Sequence, residues 1–536
     1  MQIDDQLILI TLYTVLLPRF MDKNKILGRR NFIKTVALGA AGVGTAALTG
    51  QSLRADSAAV VTPPSPKQDP HQAILFLDNW LIEKQVGLER VWGKPRFVKE
   101  VFHDFHPRVL GYGGYASMFW DERVGKYVLY AAVYPPEADP GTFVIRLESD
   151  SPYEWADPIY DATVTPAWKG FQQVVVDEKG ERFWPIYINT LAGTPQASRG
   201  YLMSTYHPDR QIHQSIAGYS ADGRHFDMRT MRSWQSARAD TWCGWIWNSR
   251  AGVYQIHTRP THVDRRIAII TSRDLENFTP ATTVLQPDAI DGPGTEFYSM
   301  PAKAYEGMFI GLLHVFDTDA FEEANRVKMA GRVQTQLTYS YNGFNWYRGE
   351  RTPFVPTREY GQLGGGQVYA MDMLRTKEDK LLFLVEGTKG EHASYPDMQK
   401  AGIDTRGAFG PLLYELRLDG FCSMKTRSKD GLLRTKTIIP QSAAISINVR
   451  TSTHTAVRVQ LLDGVTGLPL PGYTLAEAVP ISGDHLFARP QWKGASDLAK
   501  LVGKPIRIEI MMREAELFAI RVACHIFVGT DSTVTL

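Results

Sequence analysis

A strand–turn–strand phrase that recurs five times is the strongest constraint on how this chain can fold. Each copy has an apolar strand, a charged turn with glycine, a second strand, and an outer segment ending in a Ser/Asp/Gly turn and an aromatic residue. The copies begin at Tyr115, Phe171, Thr241, Phe297 and Gln367. Repeats long enough for a four-stranded sheet are typical of β-propellers. The sequence therefore predicts an all-β chain with a five-bladed β-propeller over residues 73–436; a β-sandwich with unrelated hairpins is the alternative.

Residues 437–536 have a different pattern of apolar and polar residues. The segments AISINVR, AVRVQLLD, PIRIEIMM and LFAIRVA alternate strictly between apolar and polar residues. Such alternation is typical of half-buried strands in a sandwich. We therefore expect a C-terminal β-sandwich that packs on the propeller and carries no chemistry of its own.

The N-terminal residues have the pattern of an export signal. Arg29 and Arg30 precede a mild apolar run rich in Ala and Gly, and this pattern resembles a twin-arginine signal peptide. The run from Val36 to Leu48 is too short to span a bilayer. We assign residues 1–59 to a leader and residues 60–72 to a linker, with Met21 as a better start than Met1. A periplasmic or extracellular protein of bacterial origin, without a stable membrane anchor after cleavage, is expected.

The amino-acid composition narrows the classes of molecule that this chain is expected to bind. A net charge of +2 with 22% charged residues gives no electrostatic bias towards nucleic acid. Aromatic residues make up 11% of the chain, and their faces suit the stacking of sugar rings. The 3 cysteines are widely spaced, so neither a disulfide framework nor a CxxC metal site is indicated. A carbohydrate ligand, no cofactor and no metal are expected, and the sequence makes no prediction of oligomeric state.

The fourth copy shows how ionisable groups would meet. FYSMPAKAY and MFIGLLHVF read as a hairpin joined at Glu306-Gly307, with Glu296 before it and His314 and Asp317 near its end. A hairpin returns the chain to the side where it started, so these three groups are expected on one face. An ordinary hairpin with a solvated acid at its mouth is the alternative.

The propeller hypothesis extends this argument to all five copies. In a propeller, the starts of the first strands and the ends of the second strands share one face. We expect a ligand pocket there, because its side chains would mix aromatic, amide and charged groups. Besides His314 and Asp317, the predicted ligand-binding residues are Tyr115, Tyr134, Gln173, Asn189, Trp242, Arg259, Tyr298, Gln367, Glu386 and His392.

Asp240 and Glu296 occupy equivalent positions in consecutive copies. Glycoside cleavage usually needs two carboxyl groups, one to donate a proton and one to act as nucleophile or base. We therefore predict that this pair is catalytic, with Asp104 as a third acid that could reach inward. The alternative is that Asp240 caps a strand turn and Glu296 pairs with a nearby arginine.

The five-copy plan, the LFLDNWLIE opening, the SYNGFNWYR turn and the tail from Trp492 resemble five-bladed propeller glycoside hydrolases. The likeness is to the family 32-like group related to invertases and levanases, which implies a propeller followed by a β-sandwich. Two features depart from that group. The motif Trp-x-Asn-Asp-Pro-Asn-Gly is absent, with Gly111-Tyr112-Gly113-Gly114-Tyr115 at the matching strand, and no Arg-Asp-Pro occurs. The resemblance therefore implies the fold without implying fructan cleavage.

These patterns together predict an exported glycoside hydrolase that acts on a poly- or oligosaccharide. Two alternatives remain open. Gly113 and Gly114 stand where the resemblance implies a carboxylate, which would suit a non-catalytic carbohydrate-binding propeller. A polysaccharide lyase is the other alternative.

Overall fold

Short antiparallel strands make up nearly all of the regular structure. The computed structural model describes residues 71–103, 109–134, 142–183, 185–206, 215–233, 241–260, 265–318, 331–392, 394, 400, 402, 405–494 and 497–527, which belong to one compact unit. Over these residues the all-β prediction is confirmed; the predicted leader and linker lie almost wholly outside them. None of the helices in this part of the chain has the length and apolar character needed to span a membrane.

The described part of the chain begins with four strands whose partners lie far along the sequence. They are β1 (His71–Leu75), β2 (Ile82–Val86), β3 (Leu88–Trp92) and β4 (Arg96–Glu100).

The middle of the chain folds into five antiparallel sheet units, I to V. Unit I contains β5 (Gly111–Asp121), β6 (Lys126–Tyr134) and β7 (Phe143–Ser149). The short β8 (Val176–Asp177) leads to unit II, with β9 (Pro185–Thr190), β10 (Tyr201–Tyr206), β11 (Ser215–Ser220) and β12 (His225–Ser233). Unit III contains β13 (Trp245–Asn248), β14 (Val253–Thr258), β15 (Ile267–Ser272) and β16 (Thr282–Leu285). Unit IV contains β17 (Thr295–Ser299), β18 (Ala302–Tyr305), β19 (Met308–Thr318), β20 (Gly331–Ser340) and β21 (Tyr347–Arg348).

Unit V is completed from the other end of the chain. It contains β22 (Gln367–Arg375), β23 (Lys380–Thr388) and β24 (Phe409–Arg417), and β4 pairs antiparallel with β24 as its outer strand. The sequence pattern assigned the outer strand of this copy to residues after the hairpin. The local periodicity of the sequence does not reveal that β4 completes this unit, because β4 and β24 are distant in sequence.

A recurring turn explains the Ser/Asp/Gly signature of the copies. In unit III, Ser272 Oγ accepts from the amides of Asp274 (3.3 Å) and Leu275 (2.8 Å). Asp274 Oδ1 then accepts from the amides of Glu276 (2.9 Å) and Asn277 (2.8 Å). The same bonds occur around Ser220 and Asp222 in unit II, and around Ser340 and Asn342 in unit IV. These side chains satisfy backbone donors that the turn would otherwise leave unpaired.

The hydrogen-bonded sheets follow these units. Units IV, V and I form one curled sheet of 12 strands, joined by single parallel pairs at Val333–Gln367 and Phe409–Gly111. Unit II, with β8, is a separate 5-stranded sheet, and unit III is a separate 4-stranded sheet.

Buried apolar clusters connect the units in chain order. Each fully buried Leu, Ile or Phe in them contributes about 1.5–3 kcal/mol. The clusters join units I and II at Val128 and Ile188, II and III at Leu202 and Tyr254, III and IV at Ile246 and Leu313, IV and V at Leu312 and Phe383, and V and I at Leu384 and Leu129.

Eight strands remain: β25 (Cys422–Thr426), β26 (Asp430–Thr435), β27 (Ile438–Pro440), β28 (Ser446–Thr451), β29 (Val457–Asp463), β30 (Asp484–Ala488), β31 (Ile506–Arg513) and β32 (Ala515–Ile526). Together with β1, β2 and β3 they form one continuous sheet of 11 strands rather than two separate sandwich sheets. Continuity arises because β32 is 12 residues long and pairs with β1, β25, β27 and β28 along its length.

This sheet also takes in strands from both sides of the predicted boundary at residues 436–437. Strands β2 and β3 pair with β26 and β25, and β26 pairs with β31. Arg521 of β32 donates to Asp419 (2.9 Å) and to Glu306 (3.0 Å), which ties the sheet to unit IV. The three cysteines, Cys243, Cys422 and Cys524, are buried, and none of them forms a disulfide.

Candidate functional site

The hairpin of unit IV forms as the sequence predicts. Glu306 and Gly307 make its turn with positive φ values of 49° and 86°, a backbone shape that matches the twist of the flanking strands. Strands β17 and β19 then pair Glu296 with Phe316 and Thr295 with Asp317. The start and the end of the hairpin are therefore adjacent, while the meeting of Glu296, His314 and Asp317 on one face stays a prediction.

Tyr298 lies at the centre of a set of aromatic contacts near these strand ends. Its ring centroid lies 5.6 Å from that of Tyr369, 5.9 Å from Phe316 and 5.4 Å from His392, each in an edge-on arrangement. Its hydroxyl is 3.2 Å from His392 Nε2. Strands β17, β19 and β22, together with the segment after β23, thus bring their side chains to one place.

Two arginines flank the Tyr298 ring. The guanidinium carbon of Arg259 is 4.8 Å from the ring centroid, and that of Arg265 is 5.5 Å away. Arg259 is 1% exposed and donates from Nε (3.1 Å) and Nη2 (2.9 Å) to the carbonyl of Tyr298. Arg265 Nη1 lies 2.5 Å from Glu296 Oε2, which makes a charge-assisted ion pair between the two side chains. Glu296 therefore pairs with an arginine, which was the alternative reading of this residue.

A second carboxyl group reaches the same place from unit V. Glu386 is 7% exposed and pairs in register with Tyr369. Gly113 passes so close to it that an added Cβ would lie 3.1 Å from Glu386 Cγ. A Cβ on Gly114 would lie 1.8 Å from the hydroxyl of Tyr134. The two glycines therefore make room for Glu386 and Tyr134. We call Arg259, Arg265, Glu296, Tyr298, Tyr369, Glu386 and His392 the Tyr298 cluster.

The electrostatics of this cluster are dominated by burial. Burial raises the pKa of Tyr369 well above its ordinary value, Tyr298 and Glu386 raise it further, and Arg265 opposes them. The Tyr369 phenol therefore stays protonated and donates its hydrogen to Gln367 Oε1. Gln367 itself is buried and donates to Thr388 Oγ1 at 3.0 Å, so hydrogen bonds hold the side chains of both Tyr369 and Gln367 in place.

His314 does not face this cluster as a titrating group. It is fully buried, with Nδ1 2.6 Å from Ser299 Oγ and Nε2 3.0 Å from the carbonyl of Ala370. Burial lowers the pKa of His314 to about 4, so the ring is neutral at ordinary pH. The ring packs edge-on against that of Tyr369, with 5.2 Å between the centroids, and the ligand-binding role of His314 stays a prediction.

The other predicted residues divide into three sets. Tyr134 packs its ring 5.1 Å from Phe409, and Asp317 is exposed and accepts from Thr295 Oγ1 at 3.1 Å. Trp242 is 2% exposed and packs edge-on against Tyr187 at 5.2 Å. Asp104, Asp240 and the side chain of Tyr115 lie outside the described residues.

The placement of Gln173 and Asn189 is a correction. The sequence pattern reads Phe171–Asn189 as one hairpin, with Gln173 at the start of an inner strand. Instead, the carbonyl of Gln173 accepts from Arg146 of β7 at 2.9 Å, which puts it at the outer edge of unit I. The first strand of unit II is β9, so Asn189 lies at its far end and donates to the hydroxyl of Tyr187 at 2.6 Å.

A deeper polar cluster was missed by the sequence reasoning. Asp372 is fully buried, with Oδ1 2.8 Å from Lys303 Nζ and Oδ2 accepting from the amide of Met118 at 3.0 Å. Lys303 Nζ also donates to the hydroxyl of Tyr187 at 3.3 Å. Burial alone would lower the pKa of Lys303, but Asp372 and Tyr187 raise it above its ordinary value. A charged residue inside the apolar run VYAMDML was the available signal.

This deeper cluster joins units I, II, IV and V beneath the Tyr298 cluster. Asp372 lies five positions after Gln367, the first residue of β22, so the two clusters occupy different depths of the same strand. The charges of Lys303 and Asp372 pair with each other, and we therefore interpret this cluster as structural. Within the described residues, no group of three or more His, Cys, Asp or Glu could hold a metal ion.

The comparisons with known proteins give distant similarities. No protein-family model and no curated protein matches the sequence. A solved glycoside hydrolase has 11% identity and a TM-score of 0.39, over 60% of this chain and 92% of that one. An N-acetylgalactosamine deacetylase from F. plautii, solved with blood group B trisaccharide, has 10% identity and a TM-score of 0.37, over 63% and 97%.

An exo-β-1,3-galactanase from Phanerochaete chrysosporium, solved with galactose, has 10% identity and a TM-score of 0.33, over 76% of this chain and 96% of that one. The solved structures similar to this chain thus include glycoside hydrolases. Similarity at this level assigns neither a family nor a reaction to the chain.

Proposed function

We propose that this chain is a glycoside hydrolase that acts on a poly- or oligosaccharide at the Tyr298 cluster. The observation that carries the proposal is that two carboxyl groups border the same set of aromatic rings: Glu296 pairs with Arg265 beside Tyr298, and Glu386 lies beside Tyr369, whose ring contacts that of Tyr298. Aromatic faces stack on sugar rings, and charged or phenolic groups fix their hydroxyls. Two carboxyl groups in unlike surroundings are what acid–base cleavage of a glycosidic bond requires.

The surroundings suggest a role for each carboxyl group. Glu296 forms an ion pair with Arg265 at 2.5 Å and would act as nucleophile or as base for water. Glu386, almost wholly buried beside Tyr369, would donate the proton to the leaving oxygen. Asp240, the partner predicted from the sequence, remains a candidate for the second role.

The finer architecture is part of the same proposal. We infer that units I to V close into a five-bladed propeller, supported by the five shared clusters and by the contact of Asp372 with Met118 between units V and I. The Tyr298 cluster would then lie at the opening of the central channel. We also propose export through the twin-arginine signal at Arg29 and Arg30 to the periplasm or beyond.

A polysaccharide lyase is the second candidate, and a specific contact favours it. The hydroxyl of Tyr298 lies 3.2 Å from His392 Nε2, and Arg259 and Arg265 flank the same ring. In elimination from a uronic acid, a guanidinium would pair with the carboxylate and a base would take the proton from the adjacent carbon. The bond to the leaving oxygen then breaks, that oxygen takes up a proton, and a carbon–carbon double bond forms.

Activity screening against neutral and acidic plant and algal glycans tests both candidates. Hydrolysis is expected to release new reducing ends without unsaturated product, whereas elimination would add ultraviolet absorbance for each bond broken. Glu296→Gln and Glu386→Gln should fold normally and lose roughly a hundredfold or more of kcat. The control is Glu154→Gln, an exposed carboxylate paired with Lys99. Full activity in both site variants would overturn the proposed roles.

A further inference from the structure

A cavity of about 320 Å³ opens on the surface where the β1–β2 connection meets the β20–β21 turn of unit IV. It is lined by Asp78, Trp80, Tyr341, Asn342, Asn345 and Tyr347. None of these residues belongs to the Tyr298 cluster or to the deeper polar cluster. Part of the lining comes from the LFLDNWLIE and SYNGFNWYR segments, to which the proposed reaction gives no role.

Two large aromatic side chains are exposed at this cavity. Trp80 is 39% exposed and Tyr347 is 48% exposed. The ring of Tyr347 stacks on the buried Tyr339 at 5.6 Å with an interplanar angle of 29°. Tyr347 is therefore held by packing on one side while much of its surface stays accessible. Large aromatic rings kept exposed at a surface cavity are typical of ligand contacts.

The polar residues of the cavity fix these rings in place. Asp78 Oδ1 accepts from the amide of Trp80 at 2.7 Å and from the hydroxyl of Tyr341 at 2.8 Å. Asn342 Oδ1 accepts from the amides of Phe344 and Asn345, both at 2.8 Å, which holds the turn that carries the exposed Asn345. One carboxylate thus ties together the two segments that form the cavity. Little conformational entropy would be lost on binding, because the rings and the turn are already ordered.

We propose that this cavity is a second sugar-binding site, which takes a neutral pyranose unit of a glycan chain. The aromatic rings would stack on the apolar faces of the sugar, and the amide and carboxylate groups would bind its hydroxyls. A neutral sugar is favoured because the lining contains one carboxylate, Asp78, while Lys436 Nζ lies 4.3 Å from the centroid of the Trp80 ring, so neither sign of charge predominates. The site would hold a polysaccharide on the surface independently of the chemistry at the Tyr298 cluster.

Calorimetric titration of the full-length protein with neutral oligosaccharides tests this site. The probes are xylo-, cello-, manno- and galacto-oligosaccharides, with tryptophan fluorescence as a second readout. We expect saturable binding by one of these series. Trp80→Ala and Tyr347→Ala should each weaken it by roughly tenfold, the loss expected for one packed aromatic contact. Because both side chains are partly exposed, the melting temperature should change little in either variant.

Phe344→Ala is the matched control, since Phe344 is 38% exposed in the same turn but does not line the cavity. It should bind as the parent does. Unchanged binding in both Trp80→Ala and Tyr347→Ala would overturn the proposal, as would the absence of saturable binding to every series. Self-association that both variants abolish would also overturn it, by identifying the cavity as a contact between copies of this chain.

Discussion

The residues of the Tyr298 cluster differ in how far the sequence could predict their positions and their partners. Register along the fourth hairpin correctly predicted that Glu296 and Asp317 lie near each other. It could not reveal that Arg265 pairs with Glu296 or that His314 turns inward, because the partners of a side chain come from other strands. Gly113 and Gly114 suggested a lost carboxylate, whereas they accommodate Glu386 and Tyr134 from neighbouring strands.

Gly114→Ala tests that close approach. Gly114 has a φ of 47°, and a Cβ there would lie 1.8 Å from the Tyr134 hydroxyl, so Tyr134 must move. The control is Gly125→Ala, which has a φ of 65° and no neighbouring atom within 4 Å of the added Cβ. Each carries a backbone strain of about 1 kcal/mol. Only Gly114→Ala should also alter ligand binding and lose further stability in urea unfolding; equal behaviour of the two variants would contradict this account.

At the scale of elements, the recurring Ser/Asp turn was the most predictive feature of the sequence. It works because its hydrogen bonds are local, formed within six residues of each serine. Strand order could not be predicted in the same way. The segment Phe171–Asn189 has the pattern of a hairpin, but packing places β9 first in unit II and leaves β8 with 2 residues. Tertiary contacts decide such pairings, since several local pairings are nearly equal in energy.

The turns also predict a dependence of stability on pH. The backbone amide and the side chain of Asn277, and the amide of Glu276, hold the pKa of Asp274 well below its ordinary value. Its stabilisation is therefore complete above the unfolded pKa of about 4 and is lost as pH falls through the lower folded value. Asp274→Asn should reduce the melting temperature near pH 7, and its difference from the parent should shrink at acidic pH.

Asn342 provides a natural comparison for this turn. It accepts the corresponding amides without a charge, so Asn342→Asp should acquire the pH dependence that Asp274→Asn loses. Melting temperatures measured by circular dichroism across the acidic range check both changes. Parallel profiles for the parent and the two variants would show that the carboxylates contribute nothing through these bonds.

The whole molecule is organised by pairing between distant parts of the chain. The all-β character was readable in the sequence because short apolar strands and turn residues alternate along the chain. The roles of β1 to β4 were not, because their partners lie more than 300 residues further on. The strict alternation after residue 437 predicted strands correctly, but it could not show that one sheet would also include β1, β2 and β3.

A chain ending near Ile438 tests the interdependence of these parts. It would remove β31 and β32, leaving β1 without its partner and β26 paired only with β2, and it would expose apolar residues such as Leu433 and Met424. We expect a β-type circular dichroism spectrum with reduced solubility and a lower melting temperature. A soluble truncated protein with an undiminished melting temperature would show that the C-terminal strands are an independent appendage.

Export is the other prediction at this scale. Replacement of Arg29 and Arg30 by lysine keeps the positive charge but removes the twin arginine, so precursor should accumulate in the cytoplasm. Cell fractionation and immunoblotting in the native host measure this directly. Undiminished appearance of the protein outside the cytoplasm would exclude the proposed route.

The outer position of β4 in unit V has a consequence for synthesis on the ribosome. Strand β4 ends at Glu100, and its partner β24 begins only at Phe409. At roughly 5–20 residues per second, β4 must wait on the order of tens of seconds for that partner to emerge. During this interval its backbone donors and acceptors can pair with any other extended chain nearby. A pause in translation between these two strands should therefore increase aggregation of the nascent protein more than a pause after β24.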